Sequence, residues 1–301
     1  MRIAIITGQR LHHKQLCARL ADSTDVRAII HPASPNGGLS RKLRTFRNDV
    51  SSSGAVLAAL RAASRLPVAV AGWDLASDYE RKERAAFAWA EAAYDRIDSR
   101  LIHRDLDPNG AGAIQILKEA DVEAVVTLGG PIYRAPLIAA VPLMINFHTG
   151  VSPIYNGAST IDFAYANGHP QICGGTLMVT NAVVDGGDIL AHYLPSVEAT
   201  DTPASLFMKT VAAVGPLARA FLTHLENDNR YARCRQAAPF FYFRSRDWTV
   251  YHSQRVRAHL RRGTAARYAR EDSLREYWRA GSDEEAERQV EETVKTLLLG
   301  T

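Results

Sequence analysis

Short apolar, β-branched runs recur along this chain, separated by helix-length segments, and that alternation limits what it can build. Ile3–Thr7 is followed by a helical stretch from about Leu11 to Leu20 and then by a second run, Val26–Ile30. A strand, helix, strand opening is expected of a parallel sheet, because parallel neighbours need a long crossover where antiparallel ones need only a turn. The pattern resumes with Leu101–His103, a helix near Ala111–Ala120, a buried-type strand over Glu123–Leu128, and a strand carrying Leu143-Met144-Ile145 into Asn146 and His148. Asp162–Asn167 reads as a helix, and Gly175–Thr180 and Ile189–Leu194 read as strands. Thr202 before Pro203 is a favourable N-cap and N1 pair for an amphipathic helix running to about Leu225. The expected fold class is α/β: a Rossmann-like, mostly parallel sheet flanked by helices, filling residues 1–228. Gly8-Gln9-Arg10 lacks the G-x-G-x-x-G arrangement, so no dinucleotide is indicated.

Two segments interrupt or extend that core. Residues 33–99 read as an insertion: a Ser/Gly/Arg-rich start with Arg41, Lys42, Arg44 and Arg47, then helical runs over Ala55–Leu66 and Tyr79–Ile97. Its Ala-rich faces favour a helical cover on the sheet, the other reading being a part in choosing a substrate. Residues 229–301 form a mainly helical extension, basic and then acidic. Phe240-Phe241-Tyr242-Phe243 is its one strand candidate, and Ser253–Leu260, Ser273–Arg279 and Ser282–Leu299 read as helical. Between Arg230 and Arg270 the arginines, among them Arg244, Arg246, Arg255, Arg257, Arg261 and Arg262, face a single acidic residue, Asp247. That density suits an anionic partner and equally suits a solvated helical face neutralised by Asp283-Glu284-Glu285-Ala286-Glu287.

Composition narrows the class. With 301 residues, 47% of them apolar, the chain can bury a large core. Cys17, Cys173 and Cys234 are odd in number and lack C-x-x-C spacing, so they read as buried or incidental thiols and no metal site is expected. No signal-peptide pattern opens the chain and no apolar run approaches the roughly 18 residues needed to span a bilayer, which leads us to expect a cytoplasmic protein without a membrane partner. The tryptophans Trp73, Trp89, Trp248 and Trp278 read as packing residues, the commoner use of that side chain.

The chemistry concentrates in Asn146-Phe147-His148-Thr149-Gly150-Val151-Ser152-Pro153-Ile154-Tyr155-Asn156-Gly157 and, further on, Asp185-Gly186-Gly187-Asp188. A spacing of two puts Asn146 and His148 on one face of a strand. An amide N–H stabilises negative charge developing on a carbonyl oxygen, an imidazole moves a proton near neutral pH, and a carboxylate orients that imidazole. Such a set suits acyl transfer to an amine.

The order Asn-x-His, Pro-x-Tyr-x-Gly, then Asp-x-Gly before an apolar strand resembles the formyltransferases that use 10-formyltetrahydrofolate, which include glycinamide ribonucleotide, methionyl-tRNA and sugar N-formyltransferases. The resemblance covers about residues 1–225 and is sharpest between Ala124 and Leu194. It implies that His148 is the catalytic histidine, Asn146 the amide holding the formyl oxygen, and Asp185, in preference to Asp188, the third member. It further implies 10-formyltetrahydrofolate as formyl donor, with the pterin held by Leu128, Gly129, Gly130, Pro131, Ile132 and Tyr133 and by Asn181, Val183 and Val184. Those glycines also suit an ordinary tight turn. Pro153, Tyr155 and Gly157 are expected to shape the acceptor's entrance. The chain departs from its relatives at Gly150, Ser152 and Asn156, where Ser, Leu and a basic residue are common.

The activity implied is transfer of a formyl group to a primary amine of a small or carrier-bound acceptor, phosphorylated or nucleotide-linked. A 10-formyltetrahydrofolate hydrolase would use the same residues; the sheet opening at Arg2, without a preceding regulatory domain, speaks against it. A third reading is an inactive member of this fold that binds nucleic acid through its arginines. The extension does not read as the barrel of methionyl-tRNA formyltransferases, which argues against tRNA. A homodimer is compatible with all three.

Overall fold

The computed structural model of the protein describes residues 1–33 and 73–299. The basic stretch Arg41, Lys42, Arg44 and Arg47, the expected helix Ala55–Leu66 and the Trp73 side chain lie outside the described residues. The alternation seen in the sequence becomes a single eight-stranded sheet. Strands β1 (Arg2–Thr7), β2 (Asp25–Pro32), β3 (Ile102–Leu106), β4 (Ala124–Leu128) and β5 (Leu143–His148) are mutually parallel. Strands β7 (Gly175–Val179), β8 (Ile189–Leu194) and β10 (Ser273–Glu276) continue antiparallel, giving the order β10-β8-β7-β5-β4-β1-β2-β3. Chain order reverses between β1 and β4, the topological switch point where open α/β sheets bind ligands.

Both faces of the parallel strands are covered, which is why their sequences are continuously apolar and do not alternate. Ile3, Ile5, Val126 and Ile145 face a core shared with helices α1 (Leu11–Ala21) and α8 (Val214–Asp228). Ala4, Ile6, Val125 and Met144 face α4 (Ala111–Glu119). The Thr202 cap forms as expected: its hydroxyl accepts from Ser205 N at 3.2 Å and opens α7 (Pro203–Ala212). The helix does not run on unbroken to Leu225, because it is interrupted at Ala213 and resumes as α8. Contrary to expectation, Pro203–Asp228 is long and apolar enough to cross a membrane by length and composition. Its Met208, Val211, Leu217 and Phe221 are instead part of the core over the sheet.

Of the insertion, helices α2 (Trp73–Phe87) and α3 (Trp89–Tyr94) pack on α1. The extension supplies β9 (Phe241–Phe243), which pairs with β6 (Tyr155–Gly157) in a two-stranded parallel sheet, then α9 (Val250–Arg261) and α10 (Asp283–Leu299). One expectation fails here. Ser273–Arg279 is not helical; its first four residues form β10 and only Tyr277–Arg279 turn as a 3₁₀ helix. The reason is non-local: β8 presents an open row of backbone groups, and Ser273 to Glu276 pair with Leu194 to Ala191 to satisfy it.

All three cysteines are free and buried. The tryptophans divide: Trp278 is buried in the main core, Trp248 stacks on His252, and Trp89 is 44% exposed with Arg19 lying over its ring. The arginine-rich segment also divides. Arg257 pairs with Asp74 of α2 at 2.6 Å, and Arg255 Nε donates to Ala166 O, tying α9 to α6 (Thr160–Ala166), whereas Arg244 is exposed.

Candidate active site

A cavity of about 650 Å³ opens at the switch point. Its floor is the end of β5. Asn146 and His148 both line it, as the strand period requires, and Met178 and Val179 of β7 and the following Thr180 flank them. Thr127 Oγ1 donates its one proton over the shorter contact, to Asn146 Oδ1 at 2.9 Å, with Ile145 O at 3.1 Å, and this leaves the NH₂ end of the amide for the cavity.

His148 is buried. Its Nε2 donates to Tyr155 O at 3.1 Å, and its Nδ1 faces Asp185 Oδ1 at 3.5 Å. With Nε2 carrying the proton, Nδ1 of the neutral ring holds the lone pair, and a proton taken there meets a carboxylate. Asp185 sits in a left-handed turn with φ +52°. The turn is held from the neighbouring strand: Gly157 N donates to Asp185 Oδ2 at 3.0 Å and Asn156 Nδ2 to Asp185 O at 2.9 Å. Gly157 has φ +95°, and a Cβ there would lie 2.0 Å from Phe243 O, so only glycine lets β9 close on this loop. Gly150 is constrained in the same way, since a Cβ would lie 2.6 Å from His148 Nε2.

The structure therefore gathers Asn146, His148 and Asp185, and it is Asp185, not Asp188, that faces the imidazole. Leu128, Gly129, Gly130, Pro131, Ile132 and Tyr133 form one wall of the cavity, and Asn181, Val183 and Val184 form another. These loops are braced internally. Tyr133 Oη donates to Gly129 O at 2.9 Å, Asn181 Nδ2 to Gly186 O at 2.9 Å, and Val183 N to Asn181 Oδ1 at 2.8 Å. Beside them Thr180 Oγ1 is buried with no hydrogen-bond partner among the described residues.

Of the expected entrance residues only Gly157 lines the cavity. Tyr155 is buried beneath it, its hydroxyl engaged with His169 and Asn167, and it contributes only its carbonyl to His148. Pro153 lies beside a separate hollow lined by Val290 and Leu298 of α10. Both placements follow from the β6–β9 pairing, which covers the motif's middle with the aromatic stack of Tyr155, Phe241, Phe243 and Phe163.

A further wall escaped the sequence reading. His12 and His13 of α1, Phe207 of α7, and Tyr242, Phe243 and Arg244 of β9 and its end also line the cavity. His12 Nδ1 is hydrogen-bonded to Glu83 of α2, which also receives Arg10 at 2.6 Å. Burial alone would raise the Glu83 carboxyl; the bonds from His12 and Arg10 overcome this and hold it down at about 2. The only local signal was the adjacent pair His12-His13 just after β1, where parallel strands present their ligand-binding ends.

The formyl transferase family model matches residues 81–216. Across that stretch the chain is similar to the formyltransferase family. Methionyl-tRNA formyltransferase from Bordetella petrii is 31% identical over 153 residues, 50% of this chain and 47% of that protein. The Streptococcus sanguinis enzyme of the same name is 30% identical over 103 residues, 34% of this chain and 32% of that one. The chain thus spans about a third to about a half of the length of these curated relatives. Among solved structures, an N-formyltransferase from Helicobacter canadensis superposes with a TM-score of 0.51 at 14% identity, covering 85% of this chain and 80% of its own. A 4-N formyltransferase from Francisella tularensis gives 0.50 at 16%, covering 82% and 77%. The formyltransferase fold expected from the sequence is the fold observed.

Proposed function

We propose that this protein is a formyltransferase that moves a formyl group from 10-formyltetrahydrofolate to a primary amine of a small or carrier-bound acceptor. The observation that carries the reading is the convergence of Asn146, His148 and Asp185 on one cavity whose neighbouring walls are exposed backbone loops. The donor supplies a formyl carbon bonded to nitrogen, open to attack by an amine. Leu128–Tyr133 and Asn181–Val184 would hold its pterin through backbone groups. Asn146, its amide anchored by Thr127, donates Nδ2–H to the carbonyl oxygen as charge grows there. His148 takes the amine proton at Nδ1, and Asp185 stabilises the resulting imidazolium. The proton then passes to the departing nitrogen.

The neighbour from Helicobacter canadensis was solved with folinic acid and dTDP-3-aminofucose, which supports a folate donor and an amine on a nucleotide-linked sugar as one acceptor class. Arg244 and Tyr242 at the mouth of this chain's cavity suit an anionic acceptor carrying a planar group. The test is tetrahydrofolate release by purified protein with dTDP-amino sugars, glycinamide ribonucleotide and methionyl-tRNA. Release should depend on one of these acceptors and fall about 1000-fold in His148→Ala, the range for losing a general base. Release independent of any amine would replace transfer with hydrolysis, and no release at all would remove the activity.

A further inference from the structure

His13 is a cavity side chain whose hydrogen-bonding role is settled by the fold and left unused by the Asn146, His148 and Asp185 chemistry. Thr7 Oγ1 has one proton. It lies 2.9 Å from Leu128 O, a carbonyl that can only accept, so the proton goes there. His13 Nδ1 lies 2.7 Å from the same Thr7 oxygen and must therefore donate to it. The ring is the Nδ1–H tautomer, and its Nε2 carries a lone pair. Burial first, and then the neighbouring His12, pushes the imidazole well below the usual histidine range, so it stays neutral. Among the described residues no donor meets Nε2. Glycine surrounds that edge: a Cβ on Gly8 would sit 2.8 Å from Nε2, and one on Gly129 3.6 Å from Cε1. His13, which lines the cavity that holds His148 and Asn146, thus carries a neutral acceptor atom with no protein partner among the described residues.

We propose that His13 binds the acceptor amine and selects primary over secondary amines, its Nε2 accepting one N–H of the neutral nitrogen. The inference rests on the formyl-transfer reading above. In that reaction a bond forms between the amine nitrogen and the formyl carbon, and the bond from that carbon to the donor nitrogen breaks. One amine proton passes through His148 Nδ1 to the donor nitrogen. A primary amine has a second N–H for His13. A secondary amine has only the one that must leave, so the contact with His13 competes with the proton transfer. Because His13 is a weak base here, it orients the nucleophile and does not itself take the proton.

The test uses hydroxylamine and N-methylhydroxylamine as probes, both neutral at pH 8, with 10-formyltetrahydrofolate saturating. The parent protein should prefer hydroxylamine by about tenfold in kcat/KM, the worth of one buried hydrogen bond. His13→Gln, which keeps an acceptor oxygen, should retain most of that preference. His13→Phe should lose it by slowing hydroxylamine about tenfold and leaving N-methylhydroxylamine and tetrahydrofolate affinity unchanged. An unchanged preference in His13→Phe overturns the proposal while formyl transfer itself stands. Transfer by the parent to one of the acceptors named above but to neither probe overturns the inference alone; transfer to none of them sinks the formyl-transfer reading and the inference with it. A nitrogen-15 histidine spectrum of the parent protein at pH 7 reads the tautomer directly: a proton on Nε2 of His13 overturns the inference whatever the kinetics show.

Discussion

Two sides of the cavity are built on opposite principles. The loops Leu128–Tyr133 and Asn181–Val184 present backbone and exposed apolar side chains, Ile132 and Val183 each being 65% exposed. The α1 side presents imidazoles, His12 buried and His13 partly so, each fixed at Nδ1: His13 by Thr7, which is itself held to Leu128 O, and His12 by Glu83. Backbone walls pair any ligand edge of the right pattern and tolerate side-chain change. A wall of interlocked polar side chains accepts one arrangement, because a buried donor or acceptor left unmatched costs about 1–3 kcal/mol. The contrast suits a shared donor on one side and a particular acceptor on the other.

Three substitutions sharpen or break this comparison. The largest effect is expected where the two principles meet, at the β6–β9 junction that steadies the Asp185 carboxylate. Gly157→Ala should lower kcat about 100-fold, because displacing Gly157 N from Phe243 O moves the Asp185 anchor by an ångström-scale step. It should also cost about 2 kcal/mol in urea unfolding from backbone strain. A variant with parental kcat would detach Asp185 positioning from this glycine.

On the interlocked side, Glu83→Gln should cost about 2 kcal/mol at pH 7, since bonds to charged partners carry more than neutral ones. The pH dependence gives a second readout. The Glu83 carboxyl is held at about 2 in the folded protein, below its ordinary value of 4.5. The unfolded chain therefore binds more protons between those values, and the contribution, complete above pH 4.5, is lost as pH falls toward 2. The gap between parent and Glu83→Gln should narrow on going from pH 7 to pH 3; a constant gap would mean that Glu83 packs without serving as an ionic anchor.

The smallest effect is expected on the backbone wall. Val183→Ser should leave stability within about 0.5 kcal/mol, because the side chain is exposed. Tetrahydrofolate should bind roughly fivefold more weakly, the loss of about 1 kcal/mol of apolar contact. A large loss of stability there would show that this wall is interlocked too.

Much of one side was legible before the fold was known. Asn146 and His148 share a strand face by period alone, Thr202-Pro203 marks a helix start by local capping, and the glycines 129 and 130 occupy positive φ of +64° and +112°. Residues whose partners are remote were missed. Glu83 is 71 residues from His12 and Leu128 is 121 from Thr7, and no local pattern joins them. Tyr155 was misplaced for the same reason: its motif spacing is local, but its burial depends on Phe241 and Phe243 arriving from the extension. The β10 strand was read as a helix because its pairing with β8 is an edge contact that propensity does not encode.

The sequence by itself determined the parallel sheet, written in strand period, and the shared strand face of Asn146 and His148, written in their spacing, while Asp185 and the two loops expected to hold a pterin followed from the motif's resemblance to a family. Only the tertiary structure decided which carboxylate faces His148, which tautomer His13 adopts and which residues close the acceptor side. Those depend on the single proton of a hydroxyl, the reach of one carbonyl and the burial of a ring, quantities that exist only once strands far apart in the chain lie side by side.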